Sequence, residues 1–154
     1  GAERSGSVLN ALLHLHAQGA DDEDWVLVHD AARPNLSRDD LDKLLAELAD
    51  DPVGGLLAVP ARDTLKRIDK HGRVVETVDR SVIWQAYTPQ MFRLGALHRA
   101  LADSLVADAV ITDEASAMEW AGQAPRLIEG RADNLKVTRP EDLEWLRQRW
   151  ANRR

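Results

Sequence analysis

The sequence predicts an α/β domain built on a mostly parallel sheet. Short aliphatic runs, WVLV at 25–28 and GGLLAVP at 54–60, alternate with stretches whose leucines recur at helical spacing. The loops that follow these runs are rich in Asp, Arg, Thr and Lys. In an open α/β sheet such loops lie at the carboxyl ends of strands, where the ligand crevice forms. The 154 residues, 44% hydrophobic and 30% charged, suffice for one domain, 1–154, with its own core.

The elements follow in order. Residues 1–7 form a polar, glycine-bearing entry, with Ser7 as N-cap of a helix that carries Val8, Leu12 and Leu15 on one face. An acidic turn leads to the strand at 25–28. Ser37 caps a second helix, where Leu41, Leu44, Leu45 and Leu48 fit the i, i+3, i+4, i+7 pattern. The strand at 54–60 follows and ends at Pro60. Residues 83–87 lead through Thr88, Pro89 and Gln90 to a helix over about 94–104. Thr112 or Asp113 caps the next helix, with acidic residues in its first turn. Residues 126–129 and 135–137 read as short strands. Thr138 caps the last helix, with Pro140 in its first turn and Glu141 at the capping-box position.

Residues 62–80 differ in kind. They read as two extended halves around the turn Lys70-His71-Gly72-Arg73, polar on both faces. A β-hairpin arm of this composition cannot bury itself against its own domain, so it is expected to lie on a partner.

The net charge of −6 argues against nucleic acid or an anionic membrane as main partner. An anionic ligand would need a local positive site. There are no cysteines, hence no disulfide or thiolate metal site. No apolar run reaches the ~20 residues of a membrane helix, and no signal peptide is visible, so the cytoplasm is the expected compartment.

Asp30 follows the 25–28 strand directly, placed to hold a metal ion or a polar ligand, and Arg33 three residues on offers a planar fork to an anion. A carboxylate merely bonding the amides of its own turn is the plainer alternative. Asp63 with Thr64, Thr112 with Asp113, and Asp133 with Lys136 could face the same crevice. Such a basic, hydroxyl-bearing pocket suits a phosphorylated substrate with Mg²⁺. His29 sits beside Asp30, but strand alternation turns it away, which favours a structural role. His14 and His16 lie two apart on a helix and do not face each other, so no zinc site is expected.

Six motifs occur in one order. They are VHDAARP (28–34), RDTLKR (62–67), TVDR (77–80), TPQ (88–90), ITDEASA (111–117) and EGRADNLKVTRPED (129–142). Together they closely resemble the 2-C-methyl-D-erythritol 4-phosphate cytidylyltransferase family. The resemblance implies a Rossmann-like nucleotidyltransferase domain that forms a homodimer through the 62–80 arm. It implies transfer of a cytidylyl group from CTP to 2-C-methyl-D-erythritol 4-phosphate, with Mg²⁺ and release of pyrophosphate, in non-mevalonate isoprenoid biosynthesis. By the same resemblance Asp30 is the acidic residue near metal and triphosphate, and Lys136 a catalytic, phosphate-binding lysine. Ser7 and Ala31 contact the cytidine. Arg33, Thr64, Arg80, Thr88 and Thr112 hold the acceptor substrate, with Thr64 and Arg80 acting across the dimer.

The chain also departs from the family. Its opening GAERSGS matches the family's G-x-x-R-x-x-S, which falls after about the first third of such a protein. The glycine-rich basic loop that wraps the triphosphate through backbone amides is not among these residues, and Gly54-Gly55 lies inside a strand. The chain therefore reads as a C-terminal portion of an incomplete domain. Weak CTP binding and negligible turnover are expected of it alone. A non-catalytic dimerising fragment, or an enzyme for another alcohol phosphate such as ribitol 5-phosphate, are the alternatives.

Overall fold

The computed structural model describes residues 4–151. Its elements are α1 (Arg4–Ala17), β1 (Trp25–Val28), α2 (Arg38–Leu48), β2 (Gly54–Pro60), β3 (Leu65–Ile68), β4 (Val74–Val78), a 3₁₀ turn (Arg80–Val82), β5 (Trp84–Arg93), α3 (Leu94–Val106), α4 (Glu114–Trp120), β6 (Arg126–Glu129) and α5 (Pro140–Ala151). No helix is long and apolar enough to cross a membrane among the described residues.

The central sheet has the order β1-β5-β2-β6. Strands β2 and β6 pair in parallel, while β5 pairs antiparallel with both β1 and β2. Three strands thus point one way and β5 runs against them: the sheet is mixed. Successive side chains leave a strand on opposite faces. Leu56 and Phe92 accordingly meet Leu12, Leu97, Leu101 and Met118 on one side. Leu57 and Met91 meet Leu44, Leu48 and Ile128 on the other. Helices α1, α3 and α4 cover the first face and α2 the second.

Helix α2 starts where expected, with Ser37 Oγ accepting from the Asp40 amide at 3.1 Å. Leu44 and Leu48 are buried, whereas Leu45 is exposed. Ser7 is not a cap, because α1 already includes residues from Arg4 onward. At α5 the carboxylate that reaches back is Asp142, which accepts from the Thr138 and Arg139 amides; Glu141 does not. Residues 135–137 form no strand. They are tied to the loop after β1 by the Val137 amide, which donates to the Ala32 carbonyl at 2.7 Å.

The long strand β5 has no counterpart in the elements read from sequence. It carries Pro89 at its middle, and a residue without an N–H is tolerated in a sheet at a bulge. Leu56 faces Gln90 but Ala58 faces Ala86, so the TPQ segment bulges there. Strands β3 and β4 form a separate two-stranded antiparallel sheet within residues 65–78. Its turn is held by Asp69 Oδ1, which accepts from the His71 and Arg73 amides. Ile68, Val74 and Val75 on it are exposed.

Gly54 and Gly55 are there for close approach. A Cβ on Gly54 would strike the Met91 carbonyl, and one on Gly55 the Arg126 carbonyl. Both neighbours are backbone and cannot turn aside. Gly55→Ala should therefore lower stability by about 1–3 kcal/mol. The check is a urea titration in which the midpoint falls and the slope stays.

Candidate active site

The site is built at the carboxyl end of β1. The Asp30 amide donates to Thr88 Oγ1 at 3.0 Å, which pins the start of the loop to the bulge of β5. His29 Nε2 lies 2.9 Å from the Arg33 carbonyl, which can only accept, so Nε2 carries the proton. Nδ1 is then the acceptor for the Thr88 hydroxyl at 2.9 Å. Both ring nitrogens of His29 are committed to the fold, in keeping with a structural histidine.

Arg33 is buried behind this loop. Its Nη1 donates to the Asn134 carbonyl at 2.8 Å, its Nη2 to the Ala86 carbonyl at 3.4 Å, and its guanidinium stacks 4.3 Å from the Tyr87 ring. Asn134 Nδ2 donates in turn to the Thr88 carbonyl at 2.9 Å. Arg33 and Thr88 were expected to grip a phosphate. Here the Thr88 hydroxyl and both terminal nitrogens of Arg33 bond the protein, as buried polar groups require, while the buried Arg33 Nε has no hydrogen bond and lies 3.7 Å from Asp30 Oδ2. Both side chains also line the narrower cleft of the site.

The exposed face of the site is a charge cluster. Lys136 Nζ lies 3.1 Å from Asp30 Oδ2. Arg4 Nε donates to Asp30 Oδ1 at 3.2 Å, and its Nη1 and Nη2 donate to both oxygens of Glu114 at 2.6 and 2.9 Å. The Glu114 side chain is 1% exposed, against 36% for Arg4. Burial pushes the Asp30 carboxyl up. The Lys136 hydrogen bond and the Arg4 and Lys136 charges outweigh that and hold it below the usual carboxylate range.

Helix α4 approaches from the other side. Asp113 caps it and forms a capping box with Ser116. Buried Gln90 fixes the helix start: its Nε2 donates to Asp113 Oδ2 at 2.9 Å and its Oε1 accepts from the Ala115 amide at 2.7 Å. Thr112, just before the cap, is exposed at the mouth.

Two cavities meet at the cluster. A groove of about 510 Å³ runs between α1 and β1, lined by Ser7, Ala31 and apolar side chains of both elements. A narrower cleft of about 190 Å³ has Thr112, Thr88 and Tyr87 in its wall. Asp30, Lys136 and Arg4 line both. The structure thus brings together Asp30, Lys136, Ser7, Ala31, Arg33, Thr88 and Thr112. It does not bring in Thr64 or Arg80, which are exposed on the segments flanking the β3–β4 pair and line neither cavity. Arg80 Nη1 instead donates to the Arg62 carbonyl. Sequence reasoning missed Glu114 and Gln90, and gave Arg4 no role although it stands in the GAERSGS motif.

Solved structures share this architecture. A 2-C-methyl-D-erythritol 4-phosphate cytidylyltransferase from Francisella tularensis is 40% identical, with a TM-score of 0.84 over 96% of this chain and 68% of that one. A 4-diphosphocytidyl-2C-methyl-D-erythritol synthase is 47% identical, with a TM-score of 0.89 over 97% of this chain and 68% of that one. The fold, with its polar junction beyond β1, is that of the nucleotidyltransferase class. The profile of the 2-C-methyl-D-erythritol 4-phosphate cytidylyltransferase family matches residues 1–147, and the chain belongs to that family. A member from Pseudomonas fluorescens (strain Pf0-1) is 96% identical over all 154 residues. The chain spans 66% of that relative's length.

Because its folded pKa is depressed, Asp30 contributes stability that is complete above the unfolded carboxylate value and is lost as pH falls through the folded value. Asp30→Asn should therefore destabilise the protein at neutral pH. Its deficit relative to the parent should shrink as pH drops below the ordinary aspartate range. Urea midpoints measured across the acid limb check this.

Proposed function

We propose that this chain supplies the greater part of the active site of an enzyme that transfers the cytidylyl group of CTP to 2-C-methyl-D-erythritol 4-phosphate, releasing pyrophosphate. The carrying observation is that Asp30 and Lys136 line two adjoining cavities at once. Transfer between two bound molecules needs such a junction, where their reacting atoms are held together. The wider groove, with Ser7 and Ala31, takes the nucleotide. The cleft beside Thr112 takes the phosphate end of the acceptor.

An acceptor phosphate oxygen attacks the α-phosphorus of CTP, the new P–O bond forms, and the bond to pyrophosphate breaks. That oxygen is already ionised at neutral pH, so no general base is required. Lys136, 44% exposed at the junction, neutralises charge that develops on the phosphorus oxygens. No group of three or more metal-ligating side chains occurs among the described residues. The single Asp30 carboxylate suits a magnesium ion that arrives on the triphosphate, since Mg²⁺ takes one or two carboxylates plus phosphate oxygens. When bound, that ion would draw charge from the phosphates.

Pyrophosphate release with CTP and Mg²⁺ tests the reading, with methylerythritol phosphate and ribitol 5-phosphate run in parallel. In a chain of the relatives' full length, release is expected with methylerythritol phosphate alone and falls sharply, to a residual measurable rate, on Asp30→Ala. The 154 residues alone should release none, since the triphosphate loop is not among them. Release with ribitol phosphate instead would change the acceptor. Release with neither acceptor would favour the non-catalytic fragment.

The exposed β3–β4 pair fits a homodimer contact that would bring Thr64 and Arg80 to the partner's cleft. Ile68, Val74 and Val75 are each about 60% exposed there, and such apolar surface favours a covering partner. Sedimentation should show a dimer, and removal of residues 65–78 should leave a monomer.

A further inference from the structure

Arg4 ties three separate pieces of chain together, and no step of the proposed transfer uses it. It stands in the first turn of α1, Asp30 lies beyond β1, and Glu114 opens α4. A carboxylate as buried as Glu114 is costly to keep unless it is paired and hydrogen-bonded. It is paired across both oxygens to one guanidinium, and that guanidinium reaches out into the mouth of the site. The fork is planar and rigid. With Nη1 and Nη2 fixed on Glu114, the direction of Nε is fixed as well, and it points at Asp30 Oδ1. Helix α4 is itself anchored from below by Gln90. The aim of the Asp30 carboxylate is thus referred to the helix whose start carries Thr112.

We propose that Arg4, held by Glu114, is a positioning residue that sets the Asp30 carboxylate relative to α4 and so couples the nucleotide groove to the acceptor cleft. The proposal rests on the transfer reaction proposed above. A lysine at position 4 would keep the charge but, as a point cation, would not fix an angle between two carboxylates.

The test is a double-mutant cycle in a chain of the relatives' full length. Arg4→Lys and Glu114→Gln are each made alone and with Asp30→Asn. Glutamine keeps the size of Glu114, and circular dichroism confirms each fold. Each change alone should lower kcat about tenfold and move the KM for CTP less than about threefold, the mark of lost positioning. In the Asp30→Asn background neither should lower kcat more than about twofold further, because the effect is already lost. Equal losses in both backgrounds would overturn the proposal, as a merely structural Arg4 acts regardless of residue 30.

A second measurement needs no turnover. At one fixed pH, Glu114→Gln should shift the Asp30 carboxyl-carbon resonance, and the same change on top of Arg4→Lys should shift it far less. An unmoved resonance refutes the coupling whatever the assay gives. A moved resonance in a chain whose unsubstituted form releases no pyrophosphate would leave the coupling standing and refute the reaction.

Discussion

The Asp30 carboxylate has Arg4, Arg33 and Lys136 within 3.7 Å, drawn from α1, from its own loop and from the segment before α5. Pairs far apart in sequence must close together for this to form, so the cluster is a product of the whole fold. Its three cations, Arg4, Arg33 and Lys136, stand among three carboxylates, Asp30, Glu114 and the Asp113 of the cleft wall. In a chain of net charge −6 this gathers cations where two cavities meet. Long-range attraction of an anion is weak for such a protein. Close-range stabilisation in a partly desolvated mouth is strong.

Rigidity behind the cluster comes from neutral groups. His29, Thr88, Asn134 and the carbonyl of Arg33 form a chain of bonds in which each proton has a defined place. This chain spans β1, β5 and the loop after β6, which gives those three segments one shared geometry. The bulge of β5 is what lets Thr88 reach Asp30 and Gln90 reach α4 from neighbouring positions. The short TPQ motif is thus a brace between two walls of the site.

Much of this was legible in the sequence. The strands at 25–28 and 54–60 are short aliphatic runs, and Ser37 and Asp113 are caps that local chemistry selects without tertiary help. The placing of Asp30, Lys136, Ser7, Ala31 and Thr112 at one junction followed the order of motifs. Strand β5 was hidden because Pro89 breaks the pattern expected of a central strand and only the bulge accommodates it. Leu135–Val137 carried a strand-like run, yet one backbone bond to Ala32 holds it, too few for a ladder. The bonds that Arg33 and Thr88 make within the protein were not legible, because residue type does not reveal where a donor is spent. Glu114 looked like an ordinary first-turn acid favoured by the helix dipole. Nothing local signals that it is buried or that Arg4 meets it.

Helix α1 presents Arg4 and Ser7 one turn apart, so they ride on the same face and move as one body. Leu12 fixes the roll of that helix against the core and is its one buried residue among those described. A molecule wedged between α1 and β1 would lie against Leu12, Ser7 and Arg4 together, and so against a residue that the cleft shares. The groove is mostly apolar and the cleft is charged. Blocking the site therefore does not require a ligand that imitates a phosphate.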